Sequence, residues 1–245
     1  MLGAVLALAV GTPASAGLLV AGQDHSSEDH SFENHSFEIL NDITLSNADL
    51  EGTNFRSANF TDAVMVSAFM VNVALRSSNL TRADLTNAIL TNASLRDAIL
   101  VDAIFIGADL TSTNLRDAIA INADFSDALL SDSNLTGIDL TSATLMDAIL
   151  MDANLGNAIL VGADLSGSNL EDADLSGALL MGADLSGIID NADTDYTGAF
   201  YDANTIFDPG FDLTGLILVP EPSPVGLVLL GLTAIAVQRR IQRTP

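Results

Sequence analysis

The sequence predicts an all-β solenoid, and three observations predict it. From Leu45 to Leu185 every fifth residue is a hydrophobic centre, 29 positions comprising 22 Leu, four Phe (Phe55, Phe60, Phe105, Phe125), Met65, Met70 and Ala120. Two residues before each centre stands Ala in 21 of the 29 cases, with Thr53, Thr113, Ser78, Ser133, Ser168, Val73, Ile43 and Ile138 as the exceptions. The composition is that of a repeated unit, rich in Ala, Leu and Asp with no Cys, Trp or Lys, and 49% of it is hydrophobic. So apolar a chain buries enough surface to offset its ordering entropy and folds.

The period itself selects the architecture. A five-residue step advances an α-helix by roughly 140°, which spreads the Leu over every face, and in one long strand it alternates them between two sides. Residues two apart in an extended segment point the same way, so each Ala-x-Leu forms a short inward-facing strand if the chain turns a corner before the next. Repeated corners make a coil, and stacked coils pair their backbones and share one continuous core.

The units Ala108-Asp109-Leu110, Ala163-Asp164-Leu165 and Ala183-Asp184-Leu185 show the pattern at its clearest, and over residues 43–190 the chain resembles the pentapeptide repeat family. The resemblance implies that four pentapeptides make one square turn of a right-handed quadrilateral β-helix. About seven coils at about 4.8 Å each make a rod of roughly 34 Å. Both ends of such a rod need caps against unpaired backbone and exposed core. Short helical or disordered segments are expected beyond them.

Five segments follow in order. Residues 1–16 read as a signal peptide: an apolar run, Leu2 to Val10, precedes Thr12-Pro13 and a small-x-small cleavage site at Ala14 and Ala16. Residues 17–42 read as an N-terminal linker or cap. His25, His30 and His35 recur there at the five-residue interval among Glu28, Asp29 and Glu33. Imidazoles so spaced suit a metal on one face of a coil, but the segment is read as a degenerate solvated repeat or flexible linker, and no metal is assigned.

Residues 43–190 are the solenoid, and 191–218 are the C-terminal cap, where Tyr196, Phe200, Tyr201, Phe207 and Phe211 gather as the five-residue register fails. Residues 219–245 place Pro220-Glu221-Pro222 before an apolar stretch, Val225 to Val237, and a basic tail with Arg239, Arg240 and Arg243. That order resembles the PEP-CTERM sorting signal. The resemblance implies an exosortase-type processing enzyme as partner, a membrane-held C-terminus before processing, and delivery to the cell envelope or an extracellular polysaccharide matrix.

Function must then sit on the outward positions. Ile or Leu stands just before the centre at Ile89, Ile99, Ile119, Leu129, Ile149, Ile159 and Leu179, interrupted by Asp109, Asp139 and Asn169. One face joins Ile99 with Val101, Ile119 with Ile121, Ile159 with Val161, and Leu179 with Met181. This apolar stripe is the candidate interface, for a homodimer or for an unknown protein or polysaccharide partner. Two other faces carry Asp and Asn columns, including Asp84, Asp124, Asp164 and Asp184, whose spacing suits cation screening; the calcium-binding Gly-Gly-x-Gly-x-Asp repeat is missing.

The net charge of −24 disfavours nucleic acid. No Gly-x-Ser-x-Gly or phosphate loop occurs, and the three His lie in one stretch, so no catalytic residues and no cofactor are assigned. The leading reading is an exported, non-catalytic interaction scaffold. The alternative comes from the family resemblance: some members are acidic rods that imitate duplex DNA and bind DNA gyrase in the cytoplasm. Charge and shape fit that alternative, and the two terminal signals oppose it.

Overall fold

The computed structural model describes residues 18–220 of the 245-residue chain. Within them the residue just before each centre makes a parallel bridge to the residue twenty positions on, from Asp24 with Thr44 through to Asn169 with Ile189. Twenty residues are four pentapeptides, so each turn has four sides and the rod is a right-handed quadrilateral β-helix. Among the described residues, eight complete turns run from 21–40 to 161–180.

Backbone accounting explains the unit position by position. The N–H of a centre donates to the following coil (Leu45 to the Val64 carbonyl, 2.7 Å) and that of the residue before it to the preceding coil (Thr44 to Gln23, 2.9 Å). The corner residue two beyond the centre also donates onward (Asn47 to Val66, 2.9 Å), and the next small residue closes the turn (Ala48 to Leu45, 3.1 Å). That corner lies in the left-handed region, with φ 57° at Asp127, 56° at Asn87 and 62° at Gly107. This is why Asp, Asn, Ser and Gly recur there.

One N–H per pentapeptide is left over, that of the residue after the centre. Asp or Asn just before the centre takes it: Asp84 Oδ1 accepts from Thr86 N at 3.0 Å, Asp124 Oδ1 from Ser126 N at 2.9 Å and Asp164 Oδ1 from Ser166 N at 2.9 Å. The acidic columns are therefore first of all backbone acceptors. Replacing Asp124 with Ala should cost about 1 kcal/mol by losing this bond, which a urea melt would read, whereas Asn at the same position should be nearly neutral.

Centres and their small partners fill the interior, almost all at 0–1% exposure. The spacing between coils fixes the volume available, so Ala fits where a second large side chain would clash. Most of the polar exceptions bond to backbone carbonyls: Thr53 Oγ1 donates to His30 at 2.7 Å, Thr113 Oγ1 to Leu90 at 2.9 Å and Ser78 Oγ to Leu75 at 2.7 Å, whereas the buried Ser168 hydroxyl has no partner.

The rod starts earlier than the apolar repeat suggests. Residues 21–40 form a full turn with His25, His30, His35 and Leu40 as its four inward centres, not a linker, a solvated repeat or a helical or disordered segment. The three His occupy successive sides and converge inward, in place of sharing one face. Their five-residue spacing continues the register of the centres, but polar side chains there imply a solvated segment, and the three imidazoles are buried instead.

At the other end the register widens. Asp174 pairs with Asp195 and Leu179 with Phe200, each 21 residues on. Strand β1 (Asp184–Leu185) pairs with β3 (Ile206–Phe207), and β2 (Phe200–Tyr201) pairs with β4 (Ile217–Leu218). Two enlarged corners carry the change, and they share one device. Thr194 and Thr205 each donate a backbone N–H to the side chain three residues back, Asn191 Oδ1 and Asp202 Oδ1, at 3.1 Å, and each donates its hydroxyl to a coil carbonyl, Leu170 and Leu180 respectively, at 2.9 Å.

Over the last coil the rings of Tyr196 and Phe211 meet edge-on at 5.3 Å, and Phe207 stacks on Phe211 at 4.6 Å. Burial, with the Asp190 carboxylate beside it, pushes the Tyr196 phenol well above its ordinary value. Among the described residues there is no helix, and so none long and apolar enough to cross a membrane. Ala14, Ala16, Glu221, Pro222 and the stretch 225–237 lie outside the described residues; Pro220 is the last within them and is exposed.

Candidate functional site

From Leu40 to Leu185 the inward centres are committed to packing, and among the described residues the apolar face and the N-terminal mouth offer chemistry. The face is one column of bridge partners, Asn79, Ile99, Ile119, Asp139, Ile159 and Leu179, with Val101, Ile121, Val161 and Met181 beside it. Ile99, Val101, Ile121, Ile159 and Val161 are half-buried, while Ile119, Leu179 and Met181 are buried. Branched side chains on both sides of each centre shelter one another along and across the columns. The result is a closed apolar layer, flatter and less exposed than a stripe of free Ile side chains. More exposed single residues stand on the opposite face, Ile89 at 38% and Leu129 at 39%.

Asp139 interrupts the layer at its middle, between its bridge partners Ile119 and Ile159, and is 1% exposed. Its Oδ1 accepts from Thr141 N at 3.0 Å and Thr141 Oγ1 at 2.6 Å, whereas Oδ2 is buried with no hydrogen-bond partner. A buried carboxylate oxygen without a donor is costly. The sequence places it as an interruption of the Ile column, like Asp109, but does not reveal that Oδ2 is buried.

At the mouth the positions that hold Ala elsewhere hold Glu. Interior coils enclose those positions from both sides, but among the described residues no coil lies beyond the first one, and its carboxylates reach solvent while leaning across the ring of imidazoles. His25 Nδ1 lies 2.9 Å from Glu28 Oε2, and His30 Nε2 lies 3.1 Å from the same oxygen. His30 Nδ1 lies 3.1 Å and His35 Nε2 2.6 Å from Glu33 Oε2, and His35 Nδ1 lies 3.1 Å from Glu38 Oε2. The three imidazoles and three carboxylates thus alternate in one belt around the mouth.

The rings are held firmly. His30 is fully buried, edge-on to His25 at 5.8 Å and to His35 at 6.0 Å, and His35 stacks on Phe55 at 5.5 Å. The hydrogen bond from His25, joined by one from His30, holds the Glu28 carboxyl below its ordinary value. Phe32 and Phe37 sit exposed at the corners of this coil with φ 59° and 64°. The Phe32 ring lies over Gly52, where a Cβ would come within 2.6 Å of it. Among the described residues the other ion pairs lie along the surface; Arg82 holds Asp62 through two 2.6 Å contacts, and its guanidinium keeps that carboxyl below the ordinary range.

A family model described as pentapeptide repeats matches the chain in eight copies, over residues 39–77, 78–117, 110–147 and 148–187. No curated protein matches it. Among solved structures, HetL, a pentapeptide repeat protein involved in heterocyst differentiation regulation from the cyanobacterium Nostoc sp. strain PCC 7120, is 29% identical over 76% of this chain and 92% of its own, with a TM-score of 0.36. QnrB1, a plasmid-mediated fluoroquinolone resistance protein, is 18% identical over 85% of this chain and 98% of its own, with a TM-score of 0.35. A second pentapeptide repeat protein of Nostoc PCC 7120 is 42% identical over 39% of this chain and 84% of its own, with a TM-score of 0.23.

Proposed function

Because the chain belongs to the pentapeptide repeat family, whose members are generally structural or interaction proteins, we propose that it is an exported, non-catalytic scaffold that engages its partner through the Ile/Val face. The observation that carries this reading is the apolar layer along 99–181 with a single unsatisfied carboxylate at its centre. An apolar face set in a chain of net charge −24 suits a partner that is both basic and partly apolar. One donor from such a partner would satisfy Asp139 Oδ2. In a two-fold pairing centred on this face the same oxygen would meet its own copy, so like charges oppose a homodimer there.

Export is supported by the sequence of the two ends: Ala14-Ser15-Ala16 for entry, and Pro220-Glu221-Pro222 with the apolar stretch and arginines behind it for sorting. An exosortase-type enzyme would process that tail and release the rod to the envelope or an extracellular polysaccharide matrix. The acidic charge is also the feature that a cytoplasmic mimic of duplex DNA would use, and location separates the two readings.

Fractionation of cells producing an internally tagged chain should recover it in the envelope and extracellular fractions; a purely cytoplasmic pool would overturn export. Ile121→Asp with Val161→Asp, two half-buried positions, should move most of the envelope-held protein to the soluble extracellular fraction. Ile89→Asp with Leu129→Asp on the opposite face should not. Equal distributions for both pairs would overturn the assignment of the face while leaving export standing.

A further inference from the structure

We propose that the N-terminal coil holds one divalent transition-metal ion of the zinc class, bound by His30 Nδ1, His35 Nε2 and a Glu33 carboxylate oxygen. These three donor atoms lie within 4.8 Å of one another. Two imidazoles and a carboxylate with room for a water are a donor set that suits zinc and its neighbours, whereas calcium and magnesium prefer oxygen alone.

Hydrogen-bond accounting singles out this triad. His30 faces Glu33 with Nδ1 and Glu28 with Nε2, and His35 faces Glu33 with Nε2 and Glu38 with Nδ1. A neutral imidazole donates only once, so in each neutral ring one nitrogen opposes a carboxylate as acceptor against acceptor, a conflict relieved by a second proton or by an ion. An ion at the two inner nitrogens removes both conflicts. The outer N–H groups then donate to Glu28 and Glu38, the carboxylate-histidine-metal arrangement that fixes a ligand's tautomer and raises its basicity.

His25 also forms a triad, with Glu28 and His30, but its nitrogens are already matched. Nε2 accepts from the Val20 N–H at 3.3 Å, which leaves the proton on Nδ1 facing Glu28 at 2.9 Å. Binding a metal through Nδ1 would leave that ring with no proton at all. His25 is therefore outside the site and serves as its control.

The surroundings suit loading. His30 and His35 are buried at 0% and 7% and keep their rings fixed, and the Glu33 side chain is 30% exposed. Metal–ligand bonds of about 2.0–2.2 Å require the close His35–Glu33 pair to part by several tenths of an ångström. Rotation of the solvent-facing Glu33 carboxylate supplies this without moving the core. Access is from the mouth, where no further coil sits among the described residues.

Equilibrium dialysis and titration calorimetry of the full-length, untagged chain with zinc chloride test the proposal, with millimolar calcium and magnesium present to occupy the acidic columns. The expected result is one zinc per chain and a rise in melting temperature that a chelator reverses. Glu33→Gln and His35→Gln should each weaken binding at least tenfold, and His25→Gln should leave it unchanged. Glu33→Gln leaves the buried rings in place, so it remains a test if His35→Gln fails to fold. Absence of a zinc stoichiometry near one, displacement by calcium, or an equal loss in His25→Gln would each overturn the site.

Discussion

Phe125→Ala should destabilise the rod by about 3–5 kcal/mol, the ordinary cost of emptying a Phe site in a close-packed core. Phe105 and Phe125 are both fully buried and stack on successive coils, with ring centroids 4.8 Å apart and planes within 3°. Relaxation is blocked on every side. The coils above and below are held at the ladder spacing by hydrogen bonds such as Phe125 N to Thr144 O at 2.7 Å and Asp124 N to Ala103 O at 2.9 Å. A globular core closes a cavity by shifting a helix, but here all four sides would have to stretch together.

The loss falls at mid-rod, where both neighbouring coil interfaces feel it. At roughly 2–4 °C per kcal/mol for a chain of this size, the melting temperature should fall by about 6–20 °C. Thermal unfolding followed by circular dichroism reads it, and a fall under 2 °C would mean that the coils collapse inward after all. The same coil as Phe105 contains Ala120, the single Ala among the centres from Leu45 to Leu185. The larger Phe105 on the adjacent side of the same square offsets only part of the volume that Ala120 lacks relative to Leu.

Most of this interior is legible in the sequence because burial on both sides tolerates so few residue types. Any centre from Leu45 to Leu185 can be placed by counting in fives. The outward positions are harder, because one residue type serves two purposes there. Asp84, Asp124 and Asp164 look like a charged surface offered to a partner, yet each spends Oδ1 on a neighbouring backbone N–H. Asp127, Asp147 and Asp152 look like more of the same, yet their φ of 55–57° makes them corner residues. A left-handed corner every five residues is itself a readable signal, since Asn, Asp, Ser and Gly dominate that one position from 42 to 187.

The mouth was hidden for the opposite reason. His25, His30 and His35 keep strict register with Leu40 and Leu45, so the spacing announces a further coil. Polar identity masks it, because a search for apolar centres stops where the core first meets water. Asp139 is a third case. Its place in the column of Ile99, Ile119, Ile159 and Leu179 is legible, but the burial of Oδ2 depends on how those side chains close over it.

A chain ending at Ile189 should self-associate, where one ending at Pro220 should not. Without the cap, the last coil presents Leu170, Leu175, Leu180 and Leu185 on its open end, all now fully buried. It also presents the N–H and C=O groups that currently pair Asp174 with Asp195, Leu179 with Phe200, and Asp184 with Ile206. Unpaired strand edges beside exposed apolar surface template further pairing. The cap prevents this in two ways. Its widened corners, closed by Thr194 and Thr205, take the chain out of register with any copy of the twenty-residue coil. The stacked Phe207 and Phe211 with Tyr196 then cover the Leu layer. The opposite mouth needs no aromatic lid because its belt of imidazoles and carboxylates is already polar, so association should proceed through the C-terminal end alone. Light scattering of the shortened chain should give a mass near twice that of the monomer, with two open ends meeting, and loss to larger aggregates on warming. A monomer with an unchanged melting temperature would show that the cap is dispensable and that the Leu layer of the final coil is tolerated in water.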